Sequence, residues 1–573
     1  MYILPIPQKM TVKDEKFILG TTALNADDSR ITAFAKSLDN GGAYTVTFAK
    51  CENDKPEYYT LTCTKDGANI TYADIEGAFR AYTTFTQIIR QARNGEIEEV
   101  EIEDFPSIKN RGYMLDISRG KLPTLDYLKG LVDLLASLKY NELQLYLDAI
   151  VVEYKNFPQY TCETETLSRA EISTLAAYCK ERFIKLVPNQ NTFGHMAAWT
   201  AKEELAPLAI TGKDGKPSQT LNPLLPGSIE FIDKLLDGYV QLFDTDRVNV
   251  GMDETVDLGK NETKEVCDEK GVGKVYTEYL GKICSLVTDK YGKTPMFWDD
   301  IIFKHPEQLE NVPANAIVMQ WGYETEHHYD RNCRRISEKG LRFYVCPGTS
   351  MWGSYTGRSN NALLNITTAA ECGAYYGCEG FLLTEWGDEG HPQFPATAYG
   401  PLLIGASASW NCGSHDHEIA YDQRRDMLTA VKKYLDEVLY KAESGFADVV
   451  YRMGNYYLLE ENLHFNGTDL YHLIRNQHDI RPVHKEIYRK VYDYMKALRG
   501  ELCSLNADET VKRHILVNCD IVMMACRVIS EDKNESINSE IDRIVAEFED
   551  LWMQDNHRTG LEIFTGFLKS NKA

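Results

Sequence analysis

The alternation of apolar and polar positions divides the 573-residue chain into three regions. From residue 1 to about 105, runs such as Ala43-Tyr-Thr-Val-Thr-Phe48 and Tyr58-Tyr-Thr-Leu-Thr-Cys63 repeat every second residue, and Ala78 to Gln91 repeats at helical spacing. This predicts a small α+β domain with an antiparallel sheet, which ends after the acidic stretch Glu96 to Asp104 at Phe105-Pro106. From 106 to about 420 strands and helices alternate. The candidate strands are 112–117, 142–147, 184–188, 247–250, 295–298, 316–320, 342–346 and 380–384, and periodic stretches such as 125–138, 169–181, 229–243 and 272–289 lie between them. Eight such alternations over about 300 residues are what a (β/α)8 TIM barrel needs, with a doubly wound open sheet as the main alternative. From 421 to 573 strands cease; 424–440, 483–505, 508–530 and 537–552 carry apolar residues at helical spacing, predicting a mostly helical C-terminal domain. Cys519 and Cys526 fall on one such helix as core residues. The domain carries no chemical motif and is expected to support packing and to offer a candidate homodimer surface.

The barrel expectation directs attention to the C-terminal ends of its strands, where such folds place their sites. The fourth candidate strand runs Arg247-Val-Asn-Val-Gly-Met-Asp253-Glu254. Val248 and Val250 share a buried face, Gly251 permits a bend, and two carboxylates follow just beyond the strand. Held together in a pocket, two such groups cannot both ionise freely, and one is expected to keep its proton near neutral pH. That is the equipment for breaking a glycosidic bond. Asp-Glu also occurs at Asp14-Glu15, Asp268-Glu269, Asp388-Glu389, Asp436-Glu437 and Asp508-Glu509, and such pairs in general suit solvated loops or helix starts. The strand–glycine context singles out Asp253-Glu254.

Composition narrows the partners. A net charge of -23 disfavours nucleic acid and anionic membrane surfaces, whereas a neutral sugar meets no electrostatic obstacle. The chain start has no basic segment followed by a long apolar one, and there is no apolar run of about 18 residues to span a membrane. The 14 cysteines form no Cys-x-x-Cys pair, which argues against zinc and for free thiols in a reducing cytoplasm.

The other strand ends supply polar and aromatic company. They are Arg111-Gly-Tyr-Met-Leu-Asp116-Ile-Ser-Arg119, Leu145-Tyr-Leu-Asp148, Asn191-Thr-Phe-Gly-His195, Trp298-Asp299-Asp300, Gln320-Trp321-Gly322 and Thr384-Glu385-Trp386-Gly387-Asp388. Each tryptophan alone reads as a barrel-rim core residue, and His195 alone as a structural histidine. Three tryptophans around a carboxylate pair suit a stacked sugar pocket.

In order and spacing these pieces resemble glycoside hydrolase family 20, the β-N-acetylhexosaminidases, over about residues 1 to 420. The resemblance implies a retaining, exo-acting β-N-acetylhexosaminidase, and more specifically an N-acetylglucosaminidase, that needs no metal or organic cofactor. Its mechanism would be substrate-assisted, an exception to the two-carboxylate scheme. Glu254 would protonate the leaving oxygen, while Asp253 orients the 2-acetamido group that closes onto the anomeric carbon as an oxazolinium. The resemblance further implies that Arg111 binds the 3- and 4-hydroxyls and that Asp148 orients His195 near the acid. Trp298, Trp321 and Trp386 would wall the pocket, Asp388 would bind the 4- and 6-hydroxyls, and Tyr355 after the seventh strand would hold the acetamido oxygen. The chain departs from the family pattern at Asn191 (usually Asp), Met252 (usually Gly) and Asp388 (usually Glu), which puts sugar selectivity in question more than reaction type. Two rivals stay open: a barrel glycosidase acting on sugars without the acetamido group, and a non-catalytic carbohydrate-binding barrel.

Overall fold

The computed structural model describes residues 1–92, 94–161, 165–531 and 534–572. The first region forms a six-stranded sheet of β1 (Lys9–Ile18), β2 (Thr22–Ala26), β3 (Tyr44–Lys50), β4 (Tyr59–Thr64), β5 (Gly67–Tyr72) and β6 (Glu96–Asp104), in the order β1-β6-β4-β5-β3-β2. The sheet is mixed, not antiparallel as expected, because β2–β3 and β3–β5 pair in parallel. The short helix Ser29–Phe34 supplies the crossover that a parallel β2–β3 pair requires. A longer helix, Ile75–Arg90, covers the sheet; Asp74 caps it by accepting from the Gly77 N–H.

The barrel strands are β7 (Asn110–Asp116), β8 (Glu142–Tyr146) and β9 (Lys185–Pro188), followed after a small hairpin of β10 (Ala209–Thr211) and β11 (Pro217–Leu221) by β12 (Arg247–Asn249), β13 (Thr294–Trp298), β14 (Ile317–Trp321), β15 (Arg342–Cys346) and β16 (Gly380–Glu385). All neighbouring pairs in the eight-stranded sheet are parallel, in the order β12-β13-β14-β15-β16-β7-β8-β9. The remaining edges meet through a parallel bridge between Asn189 and Asn249, where the Gln190 N–H donates to the Asn249 carbonyl at 2.9 Å. That contact closes the cylinder and excludes the open sheet. Alternate strand residues, among them Met114, Val187, Met296, Met319 and Leu382, fill the interior, and their neighbours pack against the surrounding helices.

The C-terminal region is helical, built around Pro482–Ser504, Glu509–Ser530 and Glu535–Asp555. Cys519 and Cys526 are fully buried on the middle helix, and Asp508 caps it by accepting from the Thr510 and Val511 N–H groups. Every cysteine among the described residues is a free thiol. Among those residues no helix is long and apolar enough to cross a membrane.

Two junctions tie the flanking regions to the barrel. Below it, Trp410 sits in the core of the N-terminal sheet domain and donates its indole N–H to Asp104 at 2.8 Å. Lys139 pairs with the other oxygen of that carboxylate at 2.7 Å. Above it, the turn at Asn466-Gly467 lies against Gly353, just after β15, and a Cβ on Gly353 would stand 2.2 Å from the Asn466 carbonyl.

Candidate active site

The site begins with two loops whose backbones touch. Beyond β12, Gly251, Met252 and Glu254 adopt positive φ angles of 68°, 80° and 49°. A Cβ on Gly251 would meet the Asn191 side-chain oxygen at 2.0 Å, and one on Gly194 would meet the Asp253 carbonyl at 2.0 Å. Only glycine fits at either point, and the resulting close approach brings His195, itself at φ 54°, beside the carboxylate pair. Left-handed backbone at the non-glycine Met252 and Glu254 costs energy that the surrounding packing must offset, a pattern concentrated at functional sites.

His195 Nε2 lies 3.3 Å from Asp253 Oδ2 and 3.4 Å from Glu254 Oε2, so one imidazole edge joins both acids. Burial alone would push this imidazole down. The charge of Asp253 and the hydrogen bonds to Asp253 and Glu254 outweigh it, and the ring is raised to about 10 although Arg119 opposes. Asp253 is 10% exposed and Glu254 51% exposed. The hydrogen bond from His195 holds the Glu254 carboxyl below its ordinary value against the opposing effect of burial. The expectation that Glu254 keeps its proton is therefore reversed in this conformation, where the imidazole touching the acid outweighs burial. Behind the pair, Asp300 accepts from the Glu254 N–H at 3.3 Å, and burial with the nearby Asp253 charge raises it to about 6.

Asp253, Glu254 and His195 line an open hollow of about 510 Å³ at the barrel mouth, together with Trp298, Trp321 and Trp386. Arg119, Asp388, Tyr323, Trp352 and Asn466 complete the lining. The aromatic rings form a continuous wall. Trp298 and Trp386 have centroids 5.8 Å apart, Trp321 stacks on Tyr323 at 5.0 Å, and Trp352 meets Tyr323 edge-on at 4.9 Å. The Trp386 indole donates to the Tyr323 hydroxyl at 2.9 Å. Asp253 Oδ1 and Trp298 Nε1 are buried without a hydrogen-bond partner among the described residues.

Three expectations are corrected. Arg111 is not in the hollow. As the second residue of β7 it lies at the opposite end of the barrel, 1% exposed, where its guanidinium donates to Glu57 at 2.7 Å and to the Lys139, Ile108 and Lys109 carbonyls. Arg119, beyond the other end of the same strand, faces the pocket instead. Its Nη1 donates to Asp388 at 2.8 Å and its Nε to Asp148 at 2.9 Å, while the guanidinium lies over the rings of Tyr146 and Trp386. Tyr355 is fully buried outside the hollow, accepting from Arg475 at 3.0 Å and packing on Tyr471. The tyrosine that faces the site is Tyr323, two residues past β14. Asp148 sits 3.9 Å from His195 Nδ1 and belongs more closely to Arg119, so the imidazole is oriented chiefly by Asp253 and Glu254.

The rule that sites gather at C-terminal strand ends singles out Arg119 over Arg111, since the two lie on opposite sides of one strand. Tyr323 carries the same signal. Asn466 carries none, because it arrives from the helical region.

Comparison with known proteins agrees with this geometry. The catalytic-domain model of glycosyl hydrolase family 20 matches residues 109–363, and the model of that family's domain 2 matches residues 1–105. β-Hexosaminidase subunit beta of Entamoeba histolytica is 25% identical over 291 residues, covering 46% of this chain and 50% of its own length. β-Hexosaminidase subunit alpha of Bos taurus is 25% identical over 308 residues, covering 50% and 57% respectively. The chain thus spans little more than half the length of these curated relatives. Among solved structures, a family 20 exo-β-N-acetylglucosaminidase from Vibrio harveyi in complex with N-acetylglucosamine superposes with TM-score 0.60 at 20% identity, over 76% of this chain and 77% of that one. A Flavobacterium johnsoniae chitobiase superposes with TM-score 0.61 at 18% identity over 99% of this chain and 98% of its own, so the likeness in fold extends through the helical region. With two models of one family matching from the first residue to beyond the seventh barrel strand, more than half of its length, the chain belongs to glycosyl hydrolase family 20.

Proposed function

We propose that the protein is a retaining exo-β-N-acetylhexosaminidase, selective for N-acetylglucosamine, which releases terminal β-linked residues by substrate-assisted catalysis. The observation that carries this reading is the placement of Asp253 and Glu254 on one aromatic-walled hollow, joined through His195. In this reading Asp253, which lines the hollow beside Glu254, accepts the acetamido N–H and balances the charge that develops on that nitrogen. The acetamido oxygen then attacks the anomeric carbon as the glycosidic bond breaks, forming an oxazolinium. Water, its proton taken up by the Glu254 carboxylate left by the first step, then attacks the anomeric carbon and opens the ring with overall retention. A nucleophile tethered to the reacting ring has an effective molarity of roughly 10⁵ M or more when aligned.

Glu254 donates the proton to the leaving oxygen, and its half-exposed position suits a group that must reach outward. To act as an acid it moves off His195, which removes the hydrogen bond that lowers its pKa and lets the bound sugar desolvate it. Tyr323, on the acetamido side between Trp321 and Trp386, is the hydroxyl that holds the acetamido oxygen. Arg119 and Asp388 together take the ring hydroxyls that the resemblance had given to Arg111 and Asp388. The reaction needs no metal or organic cofactor, and we place the enzyme in a reducing cytoplasm, which suits its free thiols.

A thiazoline mimic of the cyclised intermediate tests the reading, since tight binding requires a pocket built for that bicyclic shape. The expected result is inhibition far tighter than by N-acetylglucosamine, with no turnover of the matching β-glucoside. Equal activity on the β-glucoside would instead favour a glycosidase that ignores the acetamido group.

A further inference from the structure

The hollow is not made by the barrel alone. Next to Trp352, its lining includes Asn466, which comes from the turn between the helical segments Tyr456–Leu459 and Asp469–Arg475 of the C-terminal region. This turn is held from three directions. The Asn466 N–H donates to Glu324 at 2.7 Å, and Glu324 is itself gripped by both terminal nitrogens of buried Arg358, at 2.8 and 2.9 Å. Two residues on, the Thr468 N–H donates to the Gly353 carbonyl at 2.9 Å. Gly353 and Gly467 stand back to back, and a Cβ on either would strike the backbone of the facing loop. Asn466 is fixed in the left-handed region at φ 57°, with its side-chain oxygen buried and without a hydrogen-bond partner among the described residues.

A rigid backbone that brings a carboxamide into the lining of the hollow has the chemistry of a hydroxyl-binding group, because a carboxamide can both accept from and donate to an alcohol. We propose that Asn466 binds a ring hydroxyl of the terminal N-acetylhexosamine, so that the helical C-terminal region sets part of the enzyme's sugar selectivity. This inference rests on the function proposed above.

Asn466→Gly removes the amide while keeping a residue at ease at positive φ, so the turn should survive. Binding of N-acetylglucosamine and N-acetylgalactosamine is measured by calorimetry, alongside kcat and KM on their p-nitrophenyl β-glycosides and the melting temperature. The expected result is about tenfold weaker binding of the preferred sugar, a matching rise in KM, a changed gluco-to-galacto ratio and a melting temperature close to that of the wild type. Asn466→Asp, which also tolerates this backbone and leaves an acceptor in place, should change the same ratio. Wild-type affinities and ratio in both variants would overturn the role of Asn466 while leaving the proposed function standing. A wild-type protein that binds neither sugar would overturn the proposed function and this inference with it.

Discussion

Arg119 Nη1 and Asp388 Oδ1 meet at 2.8 Å across the seam where β7 and β16, the first and last barrel strands, lie side by side. The pair makes one polar edge of the hollow from two ends of the barrel sequence, and it separates the roles of two arginines on one strand. Arg119→Ala should raise KM for an N-acetylglucosaminide tenfold or more, and some loss of melting temperature should accompany it because Asp116, Asp148 and Asp388 lose their shared cation. Arg111→Met should lower stability alone. It leaves the buried Glu57 carboxylate with Arg80 as its remaining cation, at a cost of about 3–5 kcal/mol, while KM of the folded enzyme stays near wild type. Steady-state kinetics paired with thermal melts checks both, and a KM effect confined to Arg111→Met would return the sugar contact to that residue.

The two carboxylates should fail differently. Glu254→Gln is expected to abolish turnover of a natural disaccharide, because the amide has no proton to give. Asp253→Asn is expected to lose kcat by a large factor, on the order of 10² or more, with a smaller loss of binding, since it acts on charge that exists mainly in the transition state. An unchanged kcat in Asp253→Asn would remove it from the chemistry.

His195 should govern the alkaline side of the pH profile. In the proposed mechanism the protonated form of Glu254 is the active one, so kcat/KM should fall as pH rises through its pKa in the free protein. His195 lowers that pKa, chiefly through its hydrogen bond. His195→Asn removes the ring, so Glu254 should titrate higher and the alkaline limb should move to higher pH. Profiles on an activated glycoside, where some turnover survives, measure the shift; a limb that stays put or moves down contradicts the arrangement.

Tyr323→Phe tests which strand supplies the acetamido contact. Loss of the hydroxyl should lower kcat/KM by about tenfold or more and weaken the thiazoline mimic similarly. It should also strand the Trp386 indole N–H, which donates to that oxygen at 2.9 Å. Tyr355→Phe should affect stability through its bond to Arg475 and leave inhibition by the thiazoline unchanged.

Much of this architecture is legible in the chain because the barrel repeats one physical pattern. Each apolar run from Gly112 to Thr384 falls on an observed strand with ends displaced by no more than two residues, and β15 coincides with the expected 342–346. The carboxylate pair and the three tryptophans at strand ends all reach the hollow for the same reason: strand direction fixes which end of the barrel a residue serves. Arg111 shows what motif matching misses, since the motif contains both arginines and only their positions at opposite ends of the strand tell them apart. Asn466 and the parallel β2–β3 pair were illegible for another reason. Each depends on a contact between segments distant in sequence, or on a short helix with too few residues to display a period.

The seating of Trp410 has a practical consequence for anyone dissecting this protein. Its ring completes the hydrophobic interior of the sheet domain although it belongs to the last barrel helix, and its N–H satisfies a carboxylate that also neutralises Lys139 from the barrel. Excising residues 1–105 would therefore expose an indole and orphan a buried ammonium in the piece left behind. The leading domain is a structural foundation for the cylinder above it, and any truncation meant to isolate the barrel must keep it attached.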